Sequence, residues 1–99
     1  MQTVIQAYPI PLGFETSARI PTDHVEIGLT VTHDSGGDKL ALVCLVPVDP
    51  DDFVTLSLYC VPFGVPFDPD YHAVGEMYPG IYNVNGVDHV IFERKLIIK

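Results

Sequence analysis

Ninety-nine residues, 47% hydrophobic and 18% charged, describe one globular domain with a single modest core and exclude a disordered or fibrous chain. Thirteen acidic residues against five basic ones leave a net charge of −8, which argues against direct binding to nucleic acid or to an anionic membrane surface. No run approaches the ~20 apolar residues that a membrane-spanning helix needs, so no membrane partner is expected.

The chain opens on Met1-Gln2-Thr3-Val4-Ile5-Gln6, which has neither a basic cluster nor the apolar stretch of a secretory leader, and a cytoplasmic protein is expected. Residues 3–8 and 15–20 read as short extended segments. The prolines around them, Pro9, Pro11 and Pro21, fit edge strands, where a missing N–H costs no ladder bond. Val25, Ile27, Leu29 and Val31 alternate with Glu26, Gly28, Thr30 and Thr32, predicting a strand with the first set buried and the second wet. Residues 40–46 carry no polar side chain and predict a central strand covered on both faces. The segment Asp34-Ser35-Gly36-Gly37-Asp38 reverses the chain between the two, its glycines supplying the positive φ of a tight turn.

Beyond the turn at 47–52, Val54, Leu56, Leu58 and Cys60 alternate with Thr55, Ser57, Tyr59 and Val61. The strands around residues 25, 40 and 54 are expected to form a meander. Cys44 and Cys60 lie inside apolar runs and read as buried thiols. Residues 62–71 form a proline-rich loop, and 73–78 form another short strand turned by Pro79-Gly80. Asn85-Gly86 between 82–84 and 87–92 is the preferred pair for a type I′ hairpin. No window keeps a helical apolar period over three turns without Pro or Gly, so helices are not expected. The fold class is all-β: a small antiparallel β-sandwich or partly open barrel of seven or eight short strands. Residues 1–93 make the domain, and 94–99 a basic, apolar tail that extends the last strand.

The opening Thr3-Val4-Ile5-Gln6-Ala7-Tyr8-Pro9, the step Ile20-Pro21-Thr22-Asp23-His24-Val25-Glu26-Ile27, and the closing Gly75-Glu76-Met77-Tyr78 with Val87-Asp88-His89-Val90-Ile91-Phe92-Glu93 form an ordered set. In layout, over residues 3–93, it resembles an uncharacterised family of bacteriophage-encoded all-β proteins of about this length. Family members carry a Gly-Thr-Gly-His-type segment where this chain has Tyr59-Cys60-Val61-Pro62-Phe63-Gly64-Val65-Pro66-Phe67. The resemblance implies a phage accessory protein in the cytoplasm of an infected bacterium, and no particular chemistry.

Phe63, Phe67 and Tyr71 recur every four residues among prolines, with Asp68, Asp70 and His72 interleaved. Stiff aromatic loops with charged neighbours make good recognition surfaces, because each ring offers large contact area at small entropic cost. The same rings also serve to cap one end of a small β domain. Asp49, Asp51 and Asp52 add carboxylates that, with Asp68 and Asp70, would steer a basic partner. Neither Asp-rich segment has the spacing of a calcium loop. His24, His33, His72 and His89 lack metal-ligand spacing, so no metal and no cofactor are expected. His89, between Val87 and Ile91, reads as a core imidazole. Ser17, Ser35 and Ser57 have no nucleophile elbow and the cysteines sit in apolar strands, so no catalytic residue is assigned and an enzyme is not expected.

Arg94, Lys95 and Lys99 hold three of the five positive charges, around the apolar Leu96, Ile97 and Ile98. An apolar terminus is costly unless covered, so residues 94–98 are expected at an oligomer interface, as in a homodimer. The resulting expectation is a noncatalytic phage accessory protein. It would dock on a host or viral protein with a basic surface and inhibit a host defence or nucleic-acid-processing protein. An alternative is an oligomer that traps a small nucleotide signal, Phe63, Phe67 or Tyr71 stacking on the base and Arg94 and Lys95 meeting phosphates. A third is a virion-associated or assembly module.

Overall fold

The computed structural model describes residues 2–72 and 74–94. The His72 side chain and the tail residues Lys95, Leu96, Ile97 and Ile98 lie outside the described residues. Eight strands succeed one another: β1 (Thr3–Ile10), β2 (Thr16–Pro21), β3 (Val25–Asp34), β4 (Gly37–Pro47), β5 (Phe53–Pro62), β6 (Val74–Met77), β7 (Tyr82–Val84) and β8 (Val87–Arg94). They make two antiparallel sheets, β1-β4-β3 and β2-β5-β8-β6, with β7 also paired to β8. The fold is a small all-β sandwich, and Arg94 closes its last strand.

The core forms where the two period-two patterns meet. Leu40, Leu42, Cys44 and Val46 project from every second position of β4 and, with Ile10, pack against Ile20, Leu58, Cys60 and Ile91 of the other sheet. Each fully buried aliphatic side chain contributes about 1.5–3 kcal/mol, and this one cluster is what a chain of this size sets against conformational entropy. The two cysteines are buried, free and on opposite sheets. His89 is buried, its Nδ1 2.8 Å from the Val87 carbonyl oxygen.

Three sequence expectations are corrected. The meander does not form, because β4 has only two edges and β1 and β3 occupy both, from Thr3↔Pro47 to Ile10↔Leu40 on one side. Residues 48–52 therefore carry the chain across to the second sheet, where β5 lies between β2 and β8. Second, β4 is not covered along the whole of both faces: inward Leu42 and Cys44 are fully buried, whereas on the outward side Ala41 is buried and Leu45 is exposed. Third, Val25 and Ile27 do not join Leu29 and Val31 on the buried side. The β3–β4 register slips between Glu26 and Gly28, a bulge that reverses the alternation. Val25 and Ile27 face solvent, and Glu26, opposite Cys44, turns toward the space between the sheets.

At one end the hairpin turns of the two sheets are tied together. Asn85 (φ 53°) and Gly86 (φ 83°) make the expected type I′ turn. The Asn85 N–H donates to Asp38 Oδ2 (2.7 Å), and the Asp38 N–H donates to Asn85 Oδ1 (2.8 Å). A Cβ on Gly37 would stand 3.1 Å from Asn85 Oδ1, and Gly37 has φ 105°, so glycine is required there. The Asn85 N–H, and then His33 on the other side, hold the Asp38 carboxyl below its ordinary range.

Candidate binding groove

The loop 62–72 is shaped by its own turn chemistry. Pro62 ends β5, the Phe63 N–H donates to the Asp88 carbonyl oxygen (2.9 Å), and the Val65 N–H points back to that of Pro62 (3.4 Å). Gly64 at φ 81° completes a type II turn with Phe63 at its corner, so the Phe63 ring is pushed outward and is 53% exposed. Pro66 extends the chain to Phe67, whose ring lies 5.6 Å from that of Phe92 at 44°. Asp68 then caps a single helical turn, α1 (Pro69–His72), its Oδ1 accepting from the N–H groups of Asp70 (3.0 Å) and Tyr71 (3.2 Å). That one turn corrects the expectation of a wholly non-helical segment: Asp-Pro supplies both an N-cap and a first helical residue. It leaves Tyr71 83% exposed.

The loop lies back over the outer face of the five-stranded sheet. Tyr59 and Val61, placed by alternation on the wet side of β5, are nevertheless 1% and 6% exposed, and Val61 lies beside the loop residues Phe63, Val65 and Phe67. The Tyr59 hydroxyl reaches Glu15 Oε1 at 3.4 Å, and the Arg94 guanidinium stands 5.9 Å from the Tyr59 ring centre. Between loop and sheet runs a groove of about 470 Å³. Its floor is Val61, Val90 and Phe92, and its walls are Phe63, Val65, Phe67 and Met77. Among the described residues, no polar side chain lines it. Met77, Val90 and Phe92 were invisible as site residues in the sequence, because β6 and β8 reach this face only through the pairing Met77↔Phe92 and Val61↔Val90.

The predicted site residues fall in two places. Phe63, Phe67, Asp68, Asp70 and Tyr71 are together in the loop. Asp49, Asp51 and Asp52 lie before the other end of β5, with roughly 20 Å of strand between Phe53 and Tyr59. There Asp49 and Asp51, with Asp23, surround Pro47 and Pro50 in an acidic cleft of about 310 Å³, and Asp52 lines an adjoining cleft of about 190 Å³ with Thr22. The Thr22 N–H donates to the Asp52 carbonyl oxygen (2.9 Å). His24 Nδ1 sits 2.7 Å from the Pro21 carbonyl oxygen, and His33 pairs with Asp38. Among the described residues, no three His, Cys, Asp or Glu side chains converge on one point suited to a metal ion.

One carboxylate cluster was not legible in the sequence at all. The bulge brings Glu26 to the Tyr78 hydroxyl, which donates to Glu26 Oε1 at 2.9 Å, and the pair lines a cleft of about 190 Å³ with Glu76 and Glu93. Burial, then the charges of Glu26 and Glu76, push the Glu93 carboxyl above its usual range. Burial and the hydrogen bond to Glu26 likewise raise the Tyr78 hydroxyl. Gly28 inside a strand was the available signal, since glycine there often marks a bulge. Burial pushes the Cys60 thiol up to about 11 and raises Cys44 as well, so both are protonated near neutral pH.

Comparison with protein-family models, curated proteins and solved structures finds no match to this chain. No helix among the described residues is long and apolar enough to cross a membrane.

Proposed function

We propose that the protein is a noncatalytic binding module that captures a partner protein by taking an apolar side chain of a basic segment into the groove beside the 62–72 loop. The observation that carries this reading is the groove itself. Its volume is in the ~300–1,000 Å³ range of ligand pockets, yet its described lining lacks the placed polar side chains that orient a small polar ligand. An apolar residue in a peptide needs no such groups, because its backbone finds water at the rim. Asp68 and Asp70 border the groove in sequence and the whole chain carries −8, so basic neighbours of that residue are favoured and association is accelerated. If the resemblance to phage-encoded proteins holds, the partner is a host or viral protein, and the acidic charge favours one with a basic surface, such as one that handles nucleic acid. The nucleotide-trapping alternative draws less support, since Phe67 is already packed at a tilt against Phe92 and no cation is among the described residues that line the groove.

The test is fluorescence anisotropy with a short Lys/Arg-rich peptide bearing one central Leu or Phe, and the same peptide with Ala there. The expected result is binding that needs the central residue, weakens with salt, and drops about tenfold or more in Phe63→Ser and in Asp68→Asn/Asp70→Asn. Equal binding of both peptides, or none by either, would overturn the reading.

A further inference from the structure

We infer that Asn85 is a site of chemical modification, where the side-chain amide is lost to give an isoaspartyl or aspartyl residue, and that the clip to Asp38 guards this site and is opened by the change. The chain has two asparagines, Asn83 and Asn85. Asn83 precedes Val84, whose branched side chain crowds the backbone nitrogen that would have to attack, whereas Asn85 precedes Gly86. Both residues of that turn are exposed, and a Cβ at Gly86 would meet no heavy atom within 4 Å, so water and base reach the bond.

The reaction needs no co-reactant but water. Base takes the proton from the Gly86 amide and the nitrogen forms a bond to Asn85 Cγ. The Cγ–Nδ2 bond breaks, its electron pair leaving with ammonia, which takes up a proton from water. Water then opens the cyclic imide at either carbonyl, giving aspartate or, with the main chain rerouted through Cβ and Cγ, isoaspartate. In the folded chain the groups needed for ring closure are already engaged. The Gly86 N–H donates to Asn83 Oδ1 (3.2 Å), Asn85 Oδ1 accepts from the Asp38 N–H (2.8 Å), and the Asn85 N–H donates to Asp38 Oδ2 (2.7 Å). Bringing the Gly86 nitrogen to Asn85 Cγ turns the side chain and the peptide out of these bonds. The reaction therefore runs from a locally opened turn, and its rate follows the population of that opening. Isoaspartate lengthens the two-residue loop by one main-chain atom, which the type I′ geometry cannot absorb. Either product sets a new carboxylate beside that of Asp38, and like charges there repel. The tie between the hairpin ends of the two sheets is then lost.

The full chain, held folded in mildly alkaline buffer beside a sample in concentrated urea, is followed by peptide mass spectrometry, which reads the amide-to-carboxylate mass gain and separates the isoaspartyl form. The expected result is conversion at Asn85 and not at Asn83, slower by about tenfold or more in the folded chain than in urea. Asp38→Ala removes the acceptor of the Asn85 N–H, and in Gly37→Ala the new Cβ crowds Asn85 Oδ1. Each should convert about fivefold faster or more than the folded wild type, with circular dichroism confirming the fold. Phe67→Ala weakens the fold outside the clip and should leave the rate within about twofold of wild type. In the isoaspartyl product, isolated by ion exchange, the Asp38 amide should exchange with solvent about tenfold faster. Asn85 intact in both clip variants after the urea sample has converted would overturn the inference. So would clip variants no faster than wild type, a Phe67→Ala rate raised as much as theirs, or an unchanged Asp38 exchange in the product.

Discussion

On the outside of the five-stranded sheet, Val61 is buried beside the loop that follows β5; on the outside of the three-stranded sheet, Leu45 and Ile5 are exposed. Both are outward positions of interior strands or their neighbours, and both are apolar. The difference comes from the connection that leaves each strand. β5 runs into a segment stiffened by Pro62, Pro66 and Pro69, long enough to fold back before β6 begins. β4 leads only into residues 48–52, and these must cross to the other sheet. Away from the loop, Arg19 stands over the Phe53 ring at 4.8 Å, yet Phe53 is as exposed as Leu45. Connection length thus decides how much of each outer sheet face is covered by the chain's own loop.

The largest expected effect comes from stripping the cover. Phe67→Ala removes the packing on Phe92 and opens the groove over Val61, and should cost about 2 kcal/mol of stability by urea denaturation, less than for a fully buried ring because Phe67 is half-buried. The two sheets, tied at their hairpin ends, should also unfold as one unit. Gly37→Ala strains the clip to Asn85 and should lower stability by about 1–2 kcal/mol, with fluorescence and circular dichroism transitions coincident. Val25→Lys, at an exposed position of the three-stranded sheet, should change stability by no more than about 0.5 kcal/mol.

The smallest effect separates the carboxylates inside the sandwich from those at its end. Glu93 titrates above its unfolded value, so the fold gains stability as pH falls through that raised value and loses it as pH climbs. Glu93→Gln should therefore raise Tm at pH 7, by on the order of 1 °C, and leave it unchanged at pH 4, as differential scanning calorimetry would show. Asp38 has the opposite sign: its depressed value gives stability that is present above the ordinary carboxylate range and is lost in acid.

Much of this architecture is legible in the order of the residues. Period-two runs, prolines at strand ends and the Asn85-Gly86 pair are local signals, and local signals specify strands and turns. Sheet membership was not legible, because the run at 40–46 reads the same whether its next neighbour is β5 or β1. The bulge at Ile27 depended on one unplaced glycine, and it reassigned Val25, Ile27 and Glu26 together. Of the groove, Phe63 and Phe67 stood out as aromatics among prolines. Val90, Phe92 and Met77 looked like ordinary strand residues, and only long-range pairing made them a floor and a wall.

The most direct test of the central claim is a heteronuclear NMR titration of the labelled chain with the basic peptide carrying a central Leu or Phe. The expected result is shifts confined to the backbone of Val61, Phe63, Val65, Phe67, Met77, Val90 and Phe92, with Asp49–Asp52 unmoved. Shifts centred on Asp49, Asp51 and Asp52, with the groove silent, would contradict it.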